Sequence, residues 1–156
     1  MDTREPAAGA PSADMPLADY LCFAIYSANL AFGKAYKPIL DQLGLTYTQY
    51  ITIIALYEQD NQTVSGLGEK LFLESNTLTP ILKKLEAMGY LTRQRAAADE
   101  RQVIISLTEQ GQRLRRQAAE GKTLFQACGL TPEEFPAMQK SVVTLRDNLL
   151  KSLPPK

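Results

Sequence analysis

The fold is decided by residues 64–107, which read VSGLGEKLFLESNTLTPILKKLEAMGYLTRQRAAADERQVIISL. In the middle of this stretch apolar residues recur at steps of three and four, which predicts an amphipathic helix that ends at Gly89: Leu78, Ile81, Leu82, Leu85 and Met88. A shorter helical pattern begins after Thr63, and two β-rich segments, 90–93 and 103–107, flank a charged loop. This order predicts a helix-turn-helix followed by a two-stranded wing.

The second helix of such a motif is the one that lies in the major groove of DNA. Its polar start supplies candidate contacts to base edges or phosphates, and basic residues of the helix and wing supply candidate phosphate contacts. The first group is Ser75, Asn76, Thr77 and Thr79; the second is Lys83, Arg93 and Arg95. A helix that only covers a protein core has the same apolar stripe, so a purely structural interpretation stays open.

Pro80 makes the start of this helix ambiguous. With Ser75 as the cap, Pro80 falls inside the helix and leaves the carbonyl of Asn76 without its usual partner. With Thr79 as the cap, Pro80 occupies the favoured first position, but one turn is lost. Both alternatives leave polar backbone groups near Asn76 available to a ligand.

The N-terminal part predicts a disordered arm and then two helices. Residues 1–16 are rich in Ala, Pro and Gly and lack the basic start and apolar centre of a secretory signal. An apolar helix follows, from Pro16 to Gly44. Thr46 and Gln49 have the spacing of a capping box, which predicts a second helix to about Tyr57; its expected buried residues are Tyr50, Ile51 and Ile54.

The C-terminal part predicts two further helices. The first runs from Thr108 to Gly129, and the second begins with the capping box of Thr131 and Glu134. Their apolar stripes approximate a heptad, so they either pair with a second copy or close over their own core. We therefore expect a mainly α fold with a small β-wing. The winged helix-turn-helix would span 45–108, and helices at 17–44 and 109–153 would form a dimerisation region.

Composition excludes several classes of site. The 156-residue chain has no histidine, two cysteines and a formal net charge of zero. Histidine-based catalytic triads and imidazole metal sites are therefore excluded, and two cysteines are too few for a four-sulfur zinc site. We expect no cofactor, no metal and no membrane span, and a cytoplasmic location where thiols stay reduced.

The run LFLESNTLTPILKKLEAMGYLTR, followed by DERQVIISLTEQG, resembles the MarR family of dimeric winged-helix repressors. The segments LCFAIYSA and LTYTQY resemble its branch that senses organic hydroperoxides, the two-cysteine subgroup of OhrR regulators. The resemblance covers about residues 17–150. It implies a homodimer that binds a pseudo-palindromic operator in double-stranded DNA and releases it when an organic hydroperoxide oxidises the protein.

The resemblance also implies residue roles. Cys22 corresponds to the peroxide-reactive cysteine, and Cys128 to the second cysteine, which forms an intersubunit disulfide with it. Tyr36 and Tyr47 correspond to tyrosines that hydrogen-bond the sulfur across the dimer interface, with Tyr26 as a third tyrosine nearby. In the wing, Asp99 and Arg101 correspond to a pair in which the carboxylate orients the guanidinium for the minor groove.

The chemistry of the residues agrees with these roles but leaves alternatives. Peroxide is attacked by a thiolate, which the start of a helix and tyrosine hydroxyl donors favour. A sulfenic acid condenses readily with a second thiol, which gives Cys128 a purpose. Alternatively, both cysteines are small buried apolar residues and a phenolic or aromatic ligand releases the DNA. A thiol peroxidase is a third alternative, although no histidine or nearby arginine is present to polarise the peroxide; we expect no enzyme.

Overall fold

The computed structural model describes residues 13–118 and 122–155. After a 3-10 turn at Leu17–Asp19, the described elements in chain order are α1 Leu21–Leu43, α2 Tyr47–Glu58, β1 Gln62–Thr63, α3 Val64–Leu71, α4 Ser75–Ala87, β2 Leu91–Arg95, β3 Val103–Leu107, α5 Glu109–Ala118, α6 Lys122–Ala127 and α7 Glu134–Ser152. This confirms a mainly helical fold with a small sheet. Among these helices none is long and apolar enough to cross a membrane.

The chain divides into two compact units, Met1–Arg115 and Arg116–Lys156. The first unit contains α1 together with the whole helix-turn-helix and wing, and the second contains α6 and α7. The predicted assignment of 17–44 and 109–153 to dimerisation stays a prediction, because compactness of a single chain does not test it. The predicted disordered arm falls mostly on residues 1–12, which lie outside the described residues.

The first helix begins later than the sequence predicts. Pro16 precedes the 3-10 turn, and α1 starts at Leu21 with Tyr20 as its N-cap and no side-chain cap hydrogen bond. The predicted end is correct, since Gly44 adopts a left-handed conformation (φ 69°) after the last turn. Only Leu40 of this 23-residue helix is buried, so most of the apolar surface of α1 is uncovered in one protomer.

The capping box at the start of α2 is confirmed. The Thr46 backbone N–H donates to Gln49 Oε1 (3.0 Å), and the Gln49 N–H donates to Thr46 Oγ1 (3.3 Å). The predicted buried face is partly wrong, because Ile51 and Ile54 are only half-buried. Ile53 and Leu56 instead have no exposed surface. Eight of the 12 residues of this helix are apolar and they lie on all its sides, so the sequence pattern did not fix which face turns inward.

The helix-turn-helix packs α3 and α4 against α2 and the sheet. Thr63 caps α3 by accepting from the Gly66 N–H (3.0 Å). The core contains side chains from α2, α3, α4, β2 and β3, all with at most 1% exposure: Ile53, Leu56, Leu67, Leu78, Leu82, Leu85, Leu91 and Ile105. The cap of α4 is neither Ser75 nor Thr79 but Glu74, and Pro80 lies inside the helix. The buried stripe of Leu78, Leu82 and Leu85 holds the helix through the proline.

The wing is a three-stranded antiparallel sheet with strand order β1-β3-β2, rather than the predicted pair of strands. Gln62 and Thr63 add the third strand by pairing with Ile105 and Ile104. The charged loop, predicted from Arg95 to Gln102, is one residue shorter, because Arg95 is paired with Val103 and belongs to β2. The sheet is locked to α5 at Gly111, where a Cβ atom would overlap the carbonyl oxygen of Tyr90. This contact explains the glycine of the LTEQG segment.

In the C-terminal part α5 and α6 lie within the range of the single helix predicted from Thr108 to Gly129, and residues 119–121 between them lie outside the described residues. Gly129 has the expected left-handed conformation (φ 65°). The capping box before α7 is confirmed, since the Thr131 N–H donates to Glu134 Oε2 (2.9 Å) and the Glu134 N–H donates to Thr131 Oγ1 (3.1 Å). No residue of α7 is buried.

Candidate functional site

Cys22 is the second residue of α1 and is exposed. The first helical hydrogen bond of α1 runs from the Ala24 N–H to the Tyr20 carbonyl (3.1 Å), so the N–H of Cys22 precedes the hydrogen-bonded turns. The late start of α1 therefore places Cys22 in the first turn of the helix, where solvent can reach the sulfur.

The tyrosines predicted to contact the sulfur lie in two separate parts of the protomer. Tyr26 lies one turn after Cys22 on the same face of α1, is 59% exposed, and stacks at an angle on Phe23 (ring centroids 6.2 Å apart). Tyr36 lies about four turns from Cys22, on the order of 21 Å along the helix axis. Within one protomer Tyr36 is therefore far from the Cys22 sulfur.

Tyr36 is instead brought to α2. Its ring centroid lies 5.2 Å from that of Tyr47 and 6.1 Å from that of Tyr50. Tyr47 is the first residue of α2 and is 46% exposed, whereas Tyr50 is buried. The capping box at Thr46 fixes the start of α2 and thereby the position of Tyr47 beside Tyr36.

A pocket of about 440 Å³ opens next to this pair of tyrosines. Its lining comes from the middle of α1 and the start of α2: Asn29, Leu30, Phe32, Gly33, Tyr36 and Tyr47. A Cβ atom on Gly33 would meet nothing within 4 Å, so the missing side chain contributes to the free space. The volume and mainly apolar lining suit a small organic molecule.

Cys128 follows α6 in the second unit and is half-buried. Its N–H donates to the Phe125 carbonyl (3.3 Å), and the ring of Phe125 packs on that of Phe135 (centroids 4.8 Å apart). The expected partnership of Cys22 with Cys128 stays a prediction. In the described part of the chain no group of three or more Cys, Asp and Glu side chains is arranged to hold a metal ion.

The start of α4 presents a polar, open surface. Ser75, Asn76 and Thr77 are exposed, and the first helical bonds run from the Thr77 and Leu78 N–H groups to the Glu74 carbonyl (both 3.0 Å). Thr79 Oγ1 donates to the Ser75 carbonyl (2.7 Å), which leaves its oxygen lone pairs as acceptors. Lys83 is exposed one turn further on. This end of α4 can donate to phosphates and both donate to and accept from base edges.

The wing tip presents one strongly exposed cation. Arg101 is 91% exposed, and both its backbone N–H (3.1 Å) and its Nε (3.2 Å) donate to Asp99 Oδ1. Asp99 thus orients the guanidinium of Arg101, as the resemblance implies. Arg95 Nη1 donates to the carbonyl oxygen of Glu100 (2.8 Å), and Arg93 is bound by Glu86. Both arginines therefore have protein partners at the positions where phosphate contacts were predicted.

Sequence reasoning identified Tyr36 and Tyr47 but not the other pocket residues, and it did not identify the partner of Arg93. The signal for the α1 part was present, because Cys22, Tyr26, Asn29, Gly33 and Tyr36 follow at alternating steps of four and three and share a face. The contribution of Tyr47 depends on how α2 packs on α1, which the sequence pattern does not contain. The ion pair with Glu86 depends on the tight connection through Gly89 (φ 87°).

Comparisons with known proteins agree with this arrangement. Residues 34–117 match the family described as "Transcriptional regulator SarA/Rot". The organic hydroperoxide resistance transcriptional regulator of Bacillus subtilis (strain 168) is 40% identical over 136 residues, which cover 86% of this chain and 92% of that protein. The structure of reduced AbfR bound to DNA, a Staphylococcus epidermidis protein, shares 37% identity at a TM-score of 0.70, covering 86% of this chain and 94% of that one. Disulfide-formed AbfR shares 37% identity at a TM-score of 0.60, covering 86% and 90%.

Proposed function

Since the chain belongs to the MarR family of winged-helix DNA-binding transcriptional regulators, and there to the organic hydroperoxide resistance branch, we propose that it is a homodimeric repressor that senses organic hydroperoxides through Cys22. Oxidation of this sulfur, followed by an intersubunit disulfide with Cys128, releases the operator. The existence of AbfR structures in a reduced, DNA-bound form and in a disulfide form supports a switch of this type.

One observation carries the proposal. Cys22 is exposed at the second position of α1, on a helix face that continues through Tyr26 and Asn29 to the pocket at Tyr36. A cysteine with a merely structural role would be expected in the apolar core, as free cysteines usually are. An exposed sulfur at a helix start, on the face that leads to a pocket large enough for a small organic molecule, is suited to reaction with an organic oxidant.

The first chemical step is nucleophilic substitution at oxygen. The Cys22 thiolate attacks the terminal oxygen of the hydroperoxide R–O–OH, an S–O bond forms and the O–O bond breaks. The sulfur is oxidised to the sulfenic acid Cys22–SOH, and the peroxide is reduced to the alkoxide RO⁻. The alkoxide takes a proton from solvent or from a tyrosine hydroxyl and leaves as the alcohol ROH.

The Tyr36 and Tyr47 donors must come from the partner protomer. Because Tyr36 lies about four helical turns from Cys22 in the same chain, only a second copy can bring a Tyr36–Tyr47 pair to the sulfur. Two α1 helices that run antiparallel and cross near Asn29, midway between these positions, satisfy this condition twice by symmetry. The uncovered apolar surface of α1 supports such an interface; Leu21 is 61% exposed and Leu30 is 50% exposed.

The second chemical step resolves the sulfenic acid. The Cys128 thiol of the partner attacks the oxidised sulfur, an S–S bond forms, and the S–O bond breaks with release of water. The two thiols have then supplied the two electrons that reduced the hydroperoxide. Without Cys128 the sulfenic acid would be exposed to further oxidation, to the irreversible sulfinic acid.

DNA binding uses α4 and the wing of both protomers. We propose that Ser75, Asn76, Thr77 and Thr79 approach base edges and phosphates in the major groove, with Lys83 on a phosphate, while Arg101 enters the adjacent minor groove. Two such modules fit a pseudo-palindrome whose half-sites are about 34–36 Å apart or a multiple of that spacing. Oxidation would change the distance or angle between the two α4 helices so that they no longer fit one face of the duplex.

The proposal is tested by non-reducing gel mobility and operator gel shift with the wild type, Cys22→Ser and Cys128→Ser, before and after cumene hydroperoxide. The wild type should form a covalent dimer and lose operator affinity by at least about tenfold. Cys22→Ser should form no covalent dimer and stay on the DNA. Cys128→Ser should form a sulfenic acid but no covalent dimer. Equal operator affinity of the reduced and oxidised wild type would disprove redox sensing.

We further propose that the protein is a sensor that reacts once and not an enzyme that turns over peroxide. Steady-state consumption of hydroperoxide with a thiol reductant separates the two, since a sensor consumes about one equivalent per protomer before it requires reduction. Sustained turnover would favour a thiol peroxidase.

The pocket favours one other candidate function. A cavity of about 440 Å³ lined by Phe32, Tyr36 and Tyr47 would also accept a phenolic or aromatic ligand that releases the DNA without oxidation. In that case Cys22→Ser would respond to the inducer as the wild type does, and the cysteines would be incidental.

A further inference from the structure

A carboxylate of α4 is bound to the edge strand of the wing. Glu86 is the second-last residue of α4, and Arg93 is the middle residue of β2. Glu86 Oε1 accepts from Arg93 Nε (3.3 Å) and Nη2 (3.1 Å), while Oε2 accepts from the Arg93 backbone N–H (3.0 Å). Both oxygens of one carboxylate are therefore used by one residue of the wing. We call this arrangement the Glu86–Arg93 clamp.

The clamp satisfies a backbone group that the sheet leaves unpaired. β2 is an edge strand, since the strand order is β1-β3-β2. Alternate N–H groups of an edge strand point away from the sheet and lack a strand partner. At Arg93 that donor is taken by Glu86. Because the side chains are only 28% (Arg93) and 37% (Glu86) exposed, these charge-assisted bonds are partly shielded from water.

The clamp also occupies two of the Arg93 nitrogens that could otherwise contact a phosphate. Its Nε and Nη2 face Glu86, and the pair is electrically neutral. Arg95 Nη1 likewise has a protein partner, because it donates to the carbonyl oxygen of Glu100, the residue before Arg101. This bond stabilises the wing tip. The side chain of Arg101 is 91% exposed, against 28% for that of Arg93.

We propose that Glu86 and Arg93 are positioning residues for operator binding, and that their ion pair holds the wing at a fixed angle to α4. This inference rests on the proposed function, in which α4 lies in the major groove and Arg101 in the minor groove. The two contacts are made by different elements. At this end α4 and β2 are joined by the three-residue connection through Gly89, by the Tyr90 N–H, which donates to the Leu85 carbonyl (3.0 Å), and by the clamp. A rigid joint allows both to be made together without an ordering cost at the moment of binding.

The alternative, that Arg93 contacts a phosphate, predicts the opposite change in DNA affinity for the variant Glu86→Gln. Glu86→Gln would free the Arg93 guanidinium and remove a negative charge. If Arg93 contacts a phosphate, this variant should therefore bind DNA more tightly than the wild type. The positioning role predicts weaker binding. Glu100→Gln is the matched control, because it removes the same charge from the wing tip, where the carbonyl and not the carboxylate of Glu100 holds Arg95. It should leave affinity unchanged or slightly raised.

The test uses the full-length reduced protein and a duplex that the wild type selects from a random-sequence pool. Dimethyl sulfate protection of guanine N7 reports the major groove, and hydroxyl-radical cleavage reports the minor groove. At saturating protein, Glu86→Gln should keep the guanine protection and lose the minor-groove protection at the flanks. Its affinity should fall by about tenfold or less. Arg93→Lys, which keeps the charge but not the two-nitrogen fork, should behave in the same way.

A double-mutant comparison completes the test. Arg101→Ala should weaken binding by about tenfold or more in the wild type but by less than about twofold in the Glu86→Gln background, because the wing no longer delivers Arg101. Equal losses in both backgrounds, tighter binding by Glu86→Gln, or a fall of about one in the salt slope for Arg93→Gln would overturn the proposal. Failure of the reduced wild type to select any duplex would instead refute the proposed function itself.

Discussion

At the scale of single residues, Gly33 determines how much space lies beside Tyr36 and Tyr47. No atom lies within 4 Å of the position that its Cβ would occupy, and the residue lines the pocket. Gly33→Leu should therefore fill the pocket without a backbone clash. Both leucine and alanine favour a helix over glycine by up to about 1 kcal/mol, so the fold should not suffer.

If the pocket receives the organic part of the hydroperoxide, Gly33→Leu should slow oxidation of Cys22 by cumene hydroperoxide by about tenfold or more. Oxidation by hydrogen peroxide, which has no organic part, should change little. The measurement is the rate of thiol loss for both oxidants in the same preparation, because their ratio does not depend on how much protein is dimeric. Gly33→Ala is the control and should keep the wild-type ratio. An unchanged ratio in Gly33→Leu would place the organic group elsewhere.

At the scale of helices and strands, the features that the sequence predicted well are local ones. The capping boxes at Thr46 and Thr131 use residues three positions apart, so their hydrogen bonds can be inferred without knowing the rest of the fold. The turn at Gly89 and the stripe of α4 were predictable for the same reason. For the site, the face shared by Cys22 and Tyr36 follows from helical spacing alone.

The features that the sequence missed depend on distant partners. β1 consists of only Gln62 and Thr63, and it exists because the register of β3 offers Ile104 and Ile105 to pair with it. Glu74 is an uncommon cap, and its carbonyl begins α4 without help from its side chain in capping. The contribution of Tyr47 to the pocket and the Glu86–Arg93 clamp likewise arise from packing between elements, which periodicity does not encode.

The start of α2 links stability to the site. Thr46→Ala removes the acceptor for the Gln49 N–H and should lower the free energy of unfolding by about 1 kcal/mol, measured by urea denaturation. Thr46→Ser keeps the hydroxyl and should recover most of this loss. Since Tyr47 is the next residue, the alanine variant should also loosen its contact with Tyr36. A serine variant as unstable as the alanine variant would show that the methyl group, and not the cap, stabilises α2.

At the scale of the whole molecule, the described chain leaves apolar helix faces uncovered in both of its units. In the first unit α1 exposes Leu21 and Leu30; in the second, α7 exposes Met138 (53%), Val142 (40%) and Leu149 (58%). Helices gain most of their stability from packing an apolar face, and 19 residues in water are only marginally stable without it. In the proposed homodimer a second copy of the chain would cover such faces, so both are candidates for the dimer interface.

Leu149→Arg tests whether α7 belongs to that interface. A charged side chain in the middle of an apolar contact would be desolvated without a partner, so the dimer dissociation constant should rise by about a hundredfold, which corresponds to about 3 kcal/mol. Thr144→Arg adds the same charge on the opposite side of the helix, where it should leave association unchanged. Sedimentation velocity across a dilution series measures both. Because an operator of two half-sites needs two modules, the Leu149→Arg protein should also bind a full site no better than a single half-site. A variant that remains dimeric at the dilution where the wild type begins to dissociate would assign the interface to α1 alone.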